Sequence, residues 1–253
     1  MNTTKIAVIT GGSRGLGRDM ALKIAKKGID IIFTYHSNIE AANEVVKNIE
    51  KVGRKAKAFQ LDTSNTKEFD RFYQELTNYL TNDYGKDHFD FLVNNAGTGI
   101  YKPFTETTED DFDDMLNIHL KGVYFLSQKA VPYLNEGGRI INISSGLARF
   151  SLPNSSAYAS AKGGVEVFTR YLAKELASKK ITANVVAPGA VGTDFGGGEN
   201  RTNEKKVNTI SNLTALGRVG EPEDLGGVVA FLCTEEARWI NGQRIEVSGG
   251  IFL

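Results

Sequence analysis

Residues 5–17 read KIAVITGGSRGLG. A β-branched apolar run gives way at once to a cluster of glycines, and apolar residues at helical spacing follow from residue 16. This is the pattern of a strand, a tight turn and a helix. Gly11, Gly15 and Gly17 fall at the turn and at the beginning of the helix. Glycine permits the turn, lets backbone approach a pyrophosphate and allows the helix to pack closely on the strand, while the helix N-terminus favours negative charge. A turn that merely needs positive φ explains one or two glycines; three so placed point to a dinucleotide site.

Working outward, short β-branched runs alternate with longer segments of helical period. Strands are expected near 5–10, 30–35, 56–61, 89–93, 139–143, 181–187 and 243–247, and helices near 16–27, 39–52, 66–81, 109–134, 157–178 and 222–233. Repeated βαβ units with right-handed crossovers imply an α/β fold: a doubly wound, seven-stranded parallel sheet with helices on both faces. Residues 1–253 read as one domain, without an internal repeat or a Pro-rich linker. The segment from about 192 to 215, which begins GTDFGGGENRTNEKK, is polar and glycine-rich and reads as a mobile substrate loop.

Thirty basic and thirty acidic residues cancel, and no run of like charge forms a tail or patch, so no nucleic-acid partner is expected. The start, MNTTKIAVIT, enters a strand pattern without a basic segment and a long apolar core, and no later stretch has eighteen uninterrupted apolar residues. An unexported protein with no membrane partner is expected. The one cysteine, Cys233 in VVAFLC, fits a buried thiol and a cytoplasmic location. His36, His88 and His119 lack partners at metal spacing, so no metal site is expected.

SSAYASAKGG, residues 155–164, sets Tyr158 and Lys162 four positions apart among small residues. Groups at i and i+4 share a helix face roughly 5 to 6 Å apart. They can point into one pocket, or be an ordinary half-buried aromatic and a solvated lysine.

Taken together, the motifs resemble the short-chain dehydrogenase/reductase family over essentially the whole chain. TGxxxGxG appears as Thr10–Gly17, NNAG as Asn94–Gly97, YxxxK as Tyr158–Lys162, and PG after the sixth strand as Pro188 and Gly189. The C-terminal stretch is also similar, although Ser248 stands where an acid is common. The resemblance implies a Rossmann fold and a catalytic set of Asn117, Ser145, Tyr158 and Lys162. Ser145 is preferred to Ser144 because the family's serine lies thirteen residues before the tyrosine. Asn117 in MLNIHLKG is implied to kink its helix and to hold a water that relays protons to the lysine.

The chemistry suits these residue types. A hydride passes between nicotinamide and a carbonyl carbon, and the developing alkoxide takes a proton from the tyrosine, a reluctant donor with an ordinary pKa of about 10. An ammonium roughly 5 Å away at an effective dielectric of about 20 favours the phenolate by about 3 kcal/mol, before desolvation opposes it. A serine hydroxyl aimed at the carbonyl oxygen stabilises the charge that develops there.

By the same resemblance the glycine loop contributes Gly11, Ser13, Arg14, Gly15, Leu16 and Gly17 to cofactor binding. Asn94, Ala96 and Gly97 follow the fourth strand, Pro188, Gly189, Val191 and Thr193 the sixth, and Tyr158 and Lys162 also touch the nicotinamide riboside. Asp62 stands near the adenine ring or simply forms a turn. After the second strand comes TYHSN, without the carboxylate that would bind a ribose diol and repel a 2′-phosphate. Arg14, helped by His36, Ser37 or Asn38, suits that phosphate, so NADPH is favoured over NADH.

The expected activity is NADPH-dependent transfer of a hydride between nicotinamide and a small-molecule ketone or secondary alcohol, nearest in pattern to 3-oxoacyl carrier-protein reductases. Arg149, Lys179, Arg201, Lys205 and Lys206 are available to dock an acidic carrier, against which Glu136 counts. A sugar or polyol dehydrogenase is the alternative, and a non-catalytic NADPH sensor a remote one. Surplus apolar residues on 109–134 (Met115, Leu116, Val123, Phe125, Leu126) and 157–178 (Val165, Val167, Phe168, Tyr171, Leu172) suggest a homotetramer.

Overall fold

The computed structural model describes residues 4–253. Ile6–Ile9 (β1) is flanked on one side by Asp30–Tyr35 (β2) and Ala56–Gln60 (β3). On the other side lie Phe89–Asn94 (β4), Leu134–Ile143 (β5), Thr182–Pro188 (β6) and Arg244–Val247 (β7). The order is β3-β2-β1-β4-β5-β6-β7 and every pairing is parallel. Strand order reverses between β1 and β4, which opens a crevice at their C-terminal ends.

Side chains alternate along each strand, so two apolar layers form. Ala7 and Ile9 join the layer of Met20 and Ile24 from Gly15–Ala25 (α1), Val45 and Ile49 from Ile39–Lys51 (α2), and Leu225 and Val229 from the last long helix. Ile6 and Val8 face the other layer, with Phe72 and Leu76 of Phe69–Tyr84 (α3).

The segment expected as one helix over 109–134 is in fact broken. Glu109–Leu116 (α4) starts on a capping box between Thr108 and Asp111, and Asn117–Lys121 forms a π-helical turn in which Gly122 N–H donates to the Asn117 carbonyl. Gly122–Ala130 (α5) follows, then a short 3₁₀ turn. Gly122 sits so close to the Thr63 carbonyl that a Cβ there would overlap it, and this close approach goes with the extra residue in the turn. β5 begins at Leu134 instead of 139, because Leu134 already pairs with Phe89 ahead of a register shift.

Ser156–Glu175 (α6) crosses beneath β5 and β6. The expected loop after β6 is largely helical: Phe195–Gly197 makes a 3₁₀ turn, Glu199–Thr202 (α7) is one turn, and Glu204–Leu213 (α8) is capped by the Asn203 side chain accepting from Lys206 N–H. Pro222–Leu232 (α9) packs against α1 and completes the first apolar layer. Among the described residues no helix is long and apolar enough to cross a membrane.

Candidate active site

The glycine loop is held from the neighbouring strand. Thr10 Oγ1 accepts from the backbone N–H of Asn95 and Ala96, each at 2.9 Å, and Asn95 Nδ2 donates to the carbonyls of Thr10 (2.9 Å) and Gly11 (3.1 Å). Gly11 has φ +67°, and a Cβ on it would lie 2.9 Å from Ala96 Cα. A Cβ on Gly17 would run into the Gly11 carbonyl, so this turn admits only glycine. Asn95 is a loop-binding residue that the motif contained but that no rule of composition or period singles out.

The other expected cofactor residues gather around this turn. Ser13 and Gly15 line it, Leu16 roots it in the first apolar layer, and Gly15 faces Thr193 across the crevice. Asn94 is buried, its amide donating to Ser127 Oγ (2.9 Å) and Asn142 Oδ1 (2.7 Å), so it ties β4 to β5 within the core. Ala96 and Gly97 continue from it. Pro188 ends β6, Gly189 approaches Ser248 closely, and Val191 bridges to Gly220. Thr193 Oγ1 accepts from Phe195 N–H at 3.2 Å.

At the far end of the crevice His36 and Ser37 are exposed beyond β2. Asp62 forms the turn that was one of its two expected roles, Oδ1 accepting from Ser64 N–H (2.9 Å), and its Oδ2 lies 4.0 Å from His36 Nε2. Arg14 is the residue before α1, and its guanidinium is 3.8 Å from Asp194, which also holds Arg201 at 2.6 Å. A glycine turn that a Cβ would fill, a helix N-terminus without an acid in its first turn and headed by Arg14, and a second strand followed by His36 and Ser37 with no acid among them fit a dinucleotide with a 2′-phosphate.

Tyr158 and Lys162 share the inward face of α6 and are 6 % and 4 % exposed. Lys162 Nζ donates to the Ile143 carbonyl at 2.7 Å and stands 5.6 Å from the Tyr158 ring centre. The Ser145 hydroxyl favours the charged form of the phenol and its Oγ accepts from Leu147 N–H at 3.2 Å, whereas Ser144 Oγ donates to Glu166 at 2.8 Å. Arg244, hydrogen-bonded to Glu166 (2.7 Å) and Glu246 (2.9 Å), also donates to the Ser145 carbonyl at 3.3 Å.

Electrostatics differ from the sequence expectation. Burial pushes the Tyr158 phenol well up, with Tyr101 adding to the effect, and outweighs the pull of Ser145. Burial alone lowers Lys162 to about 7. Desolvation dominates both groups, because aromatic side chains enclose Tyr158 and Lys162 lies beneath it. Phe195 lies edge-on to Tyr158 at 5.8 Å and Tyr101 at 6.5 Å, with Met115, Ile100 and Leu147 completing the enclosure.

Asn117 is half-buried at the head of the π turn, its carbonyl engaged by Gly122, and no side-chain hydrogen bond joins it to Tyr158 or Lys162 among the described residues. From this segment it is His119 that meets Tyr158, edge-on at 4.9 Å.

The family model described as enoyl-(acyl carrier protein) reductase matches residues 11–251. The chain belongs to the short-chain dehydrogenase/reductase family. It is an oxidoreductase. It is 38 % identical to the hydroxynaphthalene reductase-like protein Arp2 of Metarhizium robertsii, covering 98 % of this chain and 95 % of that one. It is 36 % identical to the tetrahydroxynaphthalene reductase PfmaG of Pestalotiopsis fici, over 97 % and 91 %. The landomycin C-6 ketoreductase LanV, solved with NADP and rabelomycin, superposes with a TM-score of 0.90 at 37 % identity, over 99 % of this chain and 98 % of that one.

Proposed function

We propose that this short-chain reductase uses NADPH to reduce a ketone on a flat, fused-ring aromatic substrate. The observation that carries the substrate class is the wall around Tyr158, where Phe195 and Tyr101 present ring faces and edges and Met115, Ile100 and Leu147 add apolar surface. Such a wall suits a planar ring system and offers little to a polyol. The relatives named for hydroxynaphthalenes and the ketoreductase solved with rabelomycin support this reading. A carrier-borne acyl chain is less well served. Of the cations considered for docking, Arg149 is paired with Glu246 (2.7 Å), Arg201 with Asp194 (2.6 Å) and Lys206 with Glu199 (2.9 Å).

When bound, the cofactor supplies the hydride. Ser145 turns its hydroxyl to the substrate oxygen, Tyr158 gives that oxygen its proton, and Lys162 holds the charge that makes the phenol a better donor once the aromatic wall parts. The loop from about 192 to 215 carries Phe195 and acts as the substrate cover. The test is a panel of a hydroxylated tetralone, an acetoacetyl thioester and a polyol, each assayed with NADPH and with NADH. We expect the highest kcat/KM for the tetralone with NADPH; a preference for the thioester or the polyol overturns the substrate class.

We further propose a homotetramer acting in the cytoplasm. Met115, Leu126, Val165 and Leu172 turn out to be buried core residues, but Phe125, Val167, Tyr171 and also Tyr124 remain exposed on α5 and α6. A second apolar surface at the C-terminus includes Leu216 and Leu253, which flank Gly249 and Gly250. Two separate faces, each pairing by a two-fold axis, close a tetramer. Light scattering that returns the mass of one chain overturns this. Burial pushes the Cys233 thiol up to about 12, consistent with an inert sulfur in a reducing compartment.

A further inference from the structure

A hydroxyl that stabilises charge on a substrate oxygen works from one position, and misplacing it by about 1 Å costs on the order of 100-fold in rate. Ser145 lies just where the sheet stops guiding the chain. Ser144 N–H still donates to the Val186 carbonyl of β6 at 2.8 Å, and Ser145 then heads the 3₁₀ turn Gly146–Ala148. Within that turn Ser145 Oγ accepts from Leu147 N–H at 3.2 Å, and its carbonyl accepts from Ala148 N–H at 3.1 Å. These local bonds shape the turn and leave the hydroxyl proton free to donate, but they do not fasten the turn to the sheet.

That fastening comes from β7, two strands away. Arg244 is in register with Val185 of β6, and Val185 with Asn142 of β5. Residues in register share a face, and Asn142 turns to the α6 side, where it donates to Thr169 Oγ1 at 2.9 Å. Arg244 therefore lies on the α6 side and reaches across β6 to the end of β5. Its Nε donates to Glu166 Oε1 (2.7 Å), its Nη2 to the Ser145 carbonyl (3.3 Å) and its Nη1 to Glu246 Oε2 (2.9 Å). Glu166 Oε1 also accepts from Ser144 Oγ at 2.8 Å. One ion pair thus grips two successive residues, Ser144 by its side chain and Ser145 by its carbonyl. Past the 3₁₀ turn, Arg149 donates to the same Glu246 oxygen at 2.7 Å, so β7 ties the segment at both ends. The Arg149 side chain is 63 % exposed and its tie contributes little, whereas Arg244 and Glu166 are 22 % and 13 % exposed, where charge-assisted bonds are less screened. Among the described residues none of these bonds reaches the glycine turn.

We propose that Arg244 is a positioning residue for the reduction: through Glu166 and the Ser145 carbonyl, its guanidinium holds the end of β5 so that the Ser145 hydroxyl faces the substrate oxygen beside Tyr158. The inference rests on the reading of Ser145 as the group that stabilises that oxygen. Arg244 touches neither substrate nor cofactor and exchanges no proton. The planar fork is what the task requires, because three donors in fixed directions meet a carboxylate on α6, a carboxylate on β7 and a carbonyl on the turn at once. A lysine at 244 would supply the charge for Glu166 without the geometry.

The experiment is a double-mutant cycle between Arg244→Met and Ser145→Ala, assayed with NADPH and the best substrate of the panel above, with thermal melts and NADPH titrations on each variant. Ser145→Ala alone should lower kcat at least about 100-fold. Arg244→Met alone should lower kcat about tenfold and leave the NADPH dissociation constant within about twofold of wild type. In the Ser145→Ala background Arg244→Met should cost nothing further, since no hydroxyl is left to aim. Arg244→Lys should melt close to wild type yet stay at least about fivefold slow. The same tenfold loss in both backgrounds, or a wild-type kcat in Arg244→Met or Arg244→Lys, overturns the proposal. A wild-type kcat in Ser145→Ala overturns instead the reading of Ser145 on which it rests. Should Arg244→Met not fold, Arg244→Lys takes its place in the cycle, with the same two outcomes deciding.

Discussion

The two sides of Tyr158 are built differently. Toward the dinucleotide crevice, the wall is backbone. The glycine turn is fastened by Thr10 and Asn95, β4 is fastened to β5 through Asn94 and Asn142, and most of these groups are shielded from water. Toward the substrate, the wall is side chains on glycine-rich loops. Gly99 and Gly196 pack on the Tyr101 ring, Gly196, Gly197 and Gly198 all have positive φ, and the ties are the ion pairs of Asp194 with Arg14 and Arg201. Buried hydrogen bonds fix a geometry that must serve the same cofactor at each turnover, whereas half-exposed ion pairs contribute little and exchange readily. The difference separates a rigid half from an adaptable one.

The strongest way to break this contrast is at the rigid half. Gly17→Ala drives a methyl group into the Gly11 carbonyl, and we expect a loss of about 3 kcal/mol in urea unfolding together with weakened NADPH binding. A Gly17→Ala protein with wild-type stability would mean that the turn can relax. Next comes Arg14→Ala. Removing one charge-assisted phosphate contact costs roughly 1.5 to 3 kcal/mol, so the NADPH dissociation constant should rise at least about tenfold by fluorescence titration while that of NADH barely changes. Equal losses would place Arg14 away from the 2′-phosphate.

Lys162 tests the sealed pair between the halves. Its folded pKa is lowered to about 7 from the ordinary 10.5, so the unfolded chain binds more protons between those values. Stability of the ligand-free protein should therefore rise with pH from about 7 toward about 10, by at most about 1.4 kcal/mol per pH unit from this group, and the cost is fully present below pH 7. Lys162→Met should flatten that slope in thermal melts recorded across the range. An unchanged slope would show that the ammonium is not desolvated as the aromatic wall implies.

The same contrast explains what the sequence made legible. The glycine turn, the seven strands and the Tyr158–Lys162 pair depend on local requirements, namely positive φ, close approach, alternation and i,i+4 spacing, and these are written in adjacent residues. The π turn is different. Asn117 and His119 are both polar residues within one helical stretch, and that His119 is the one to meet Tyr158 depends on packing against α6 and Gly97, which lie far from it in the chain. The aromatic cover is non-local too, since Tyr101 and Phe195 are 94 positions apart in the chain and meet only because β4 and β6 end at one edge. Burial is non-local in the same way: the Lys162 charge beside Tyr158 was visible in the sequence, but the enclosure that pushes the phenol up and Lys162 down was not.

The smallest effect we expect lies where the two halves touch. Asp194 sits in the substrate cover and draws Arg14 to 3.8 Å, yet Arg14 is also the cation suited to the cofactor's 2′-phosphate. A carboxylate and a phosphate cannot both hold one guanidinium at full strength, so cofactor entry must weaken the Asp194 contact, and Arg201 at 2.6 Å is left to keep the cover in place. Both partners are more than half exposed, so the lost pair is worth no more than about 1 kcal/mol. Asp194→Asn should therefore tighten NADPH binding by only about two- to fivefold at low ionic strength, leave NADH unchanged, and lose its effect as added salt screens the charges. If NADPH binds more weakly to Asp194→Asn, the carboxylate holds Arg14 ready for the phosphate instead of competing for it, and the adaptable half then helps to build the rigid one.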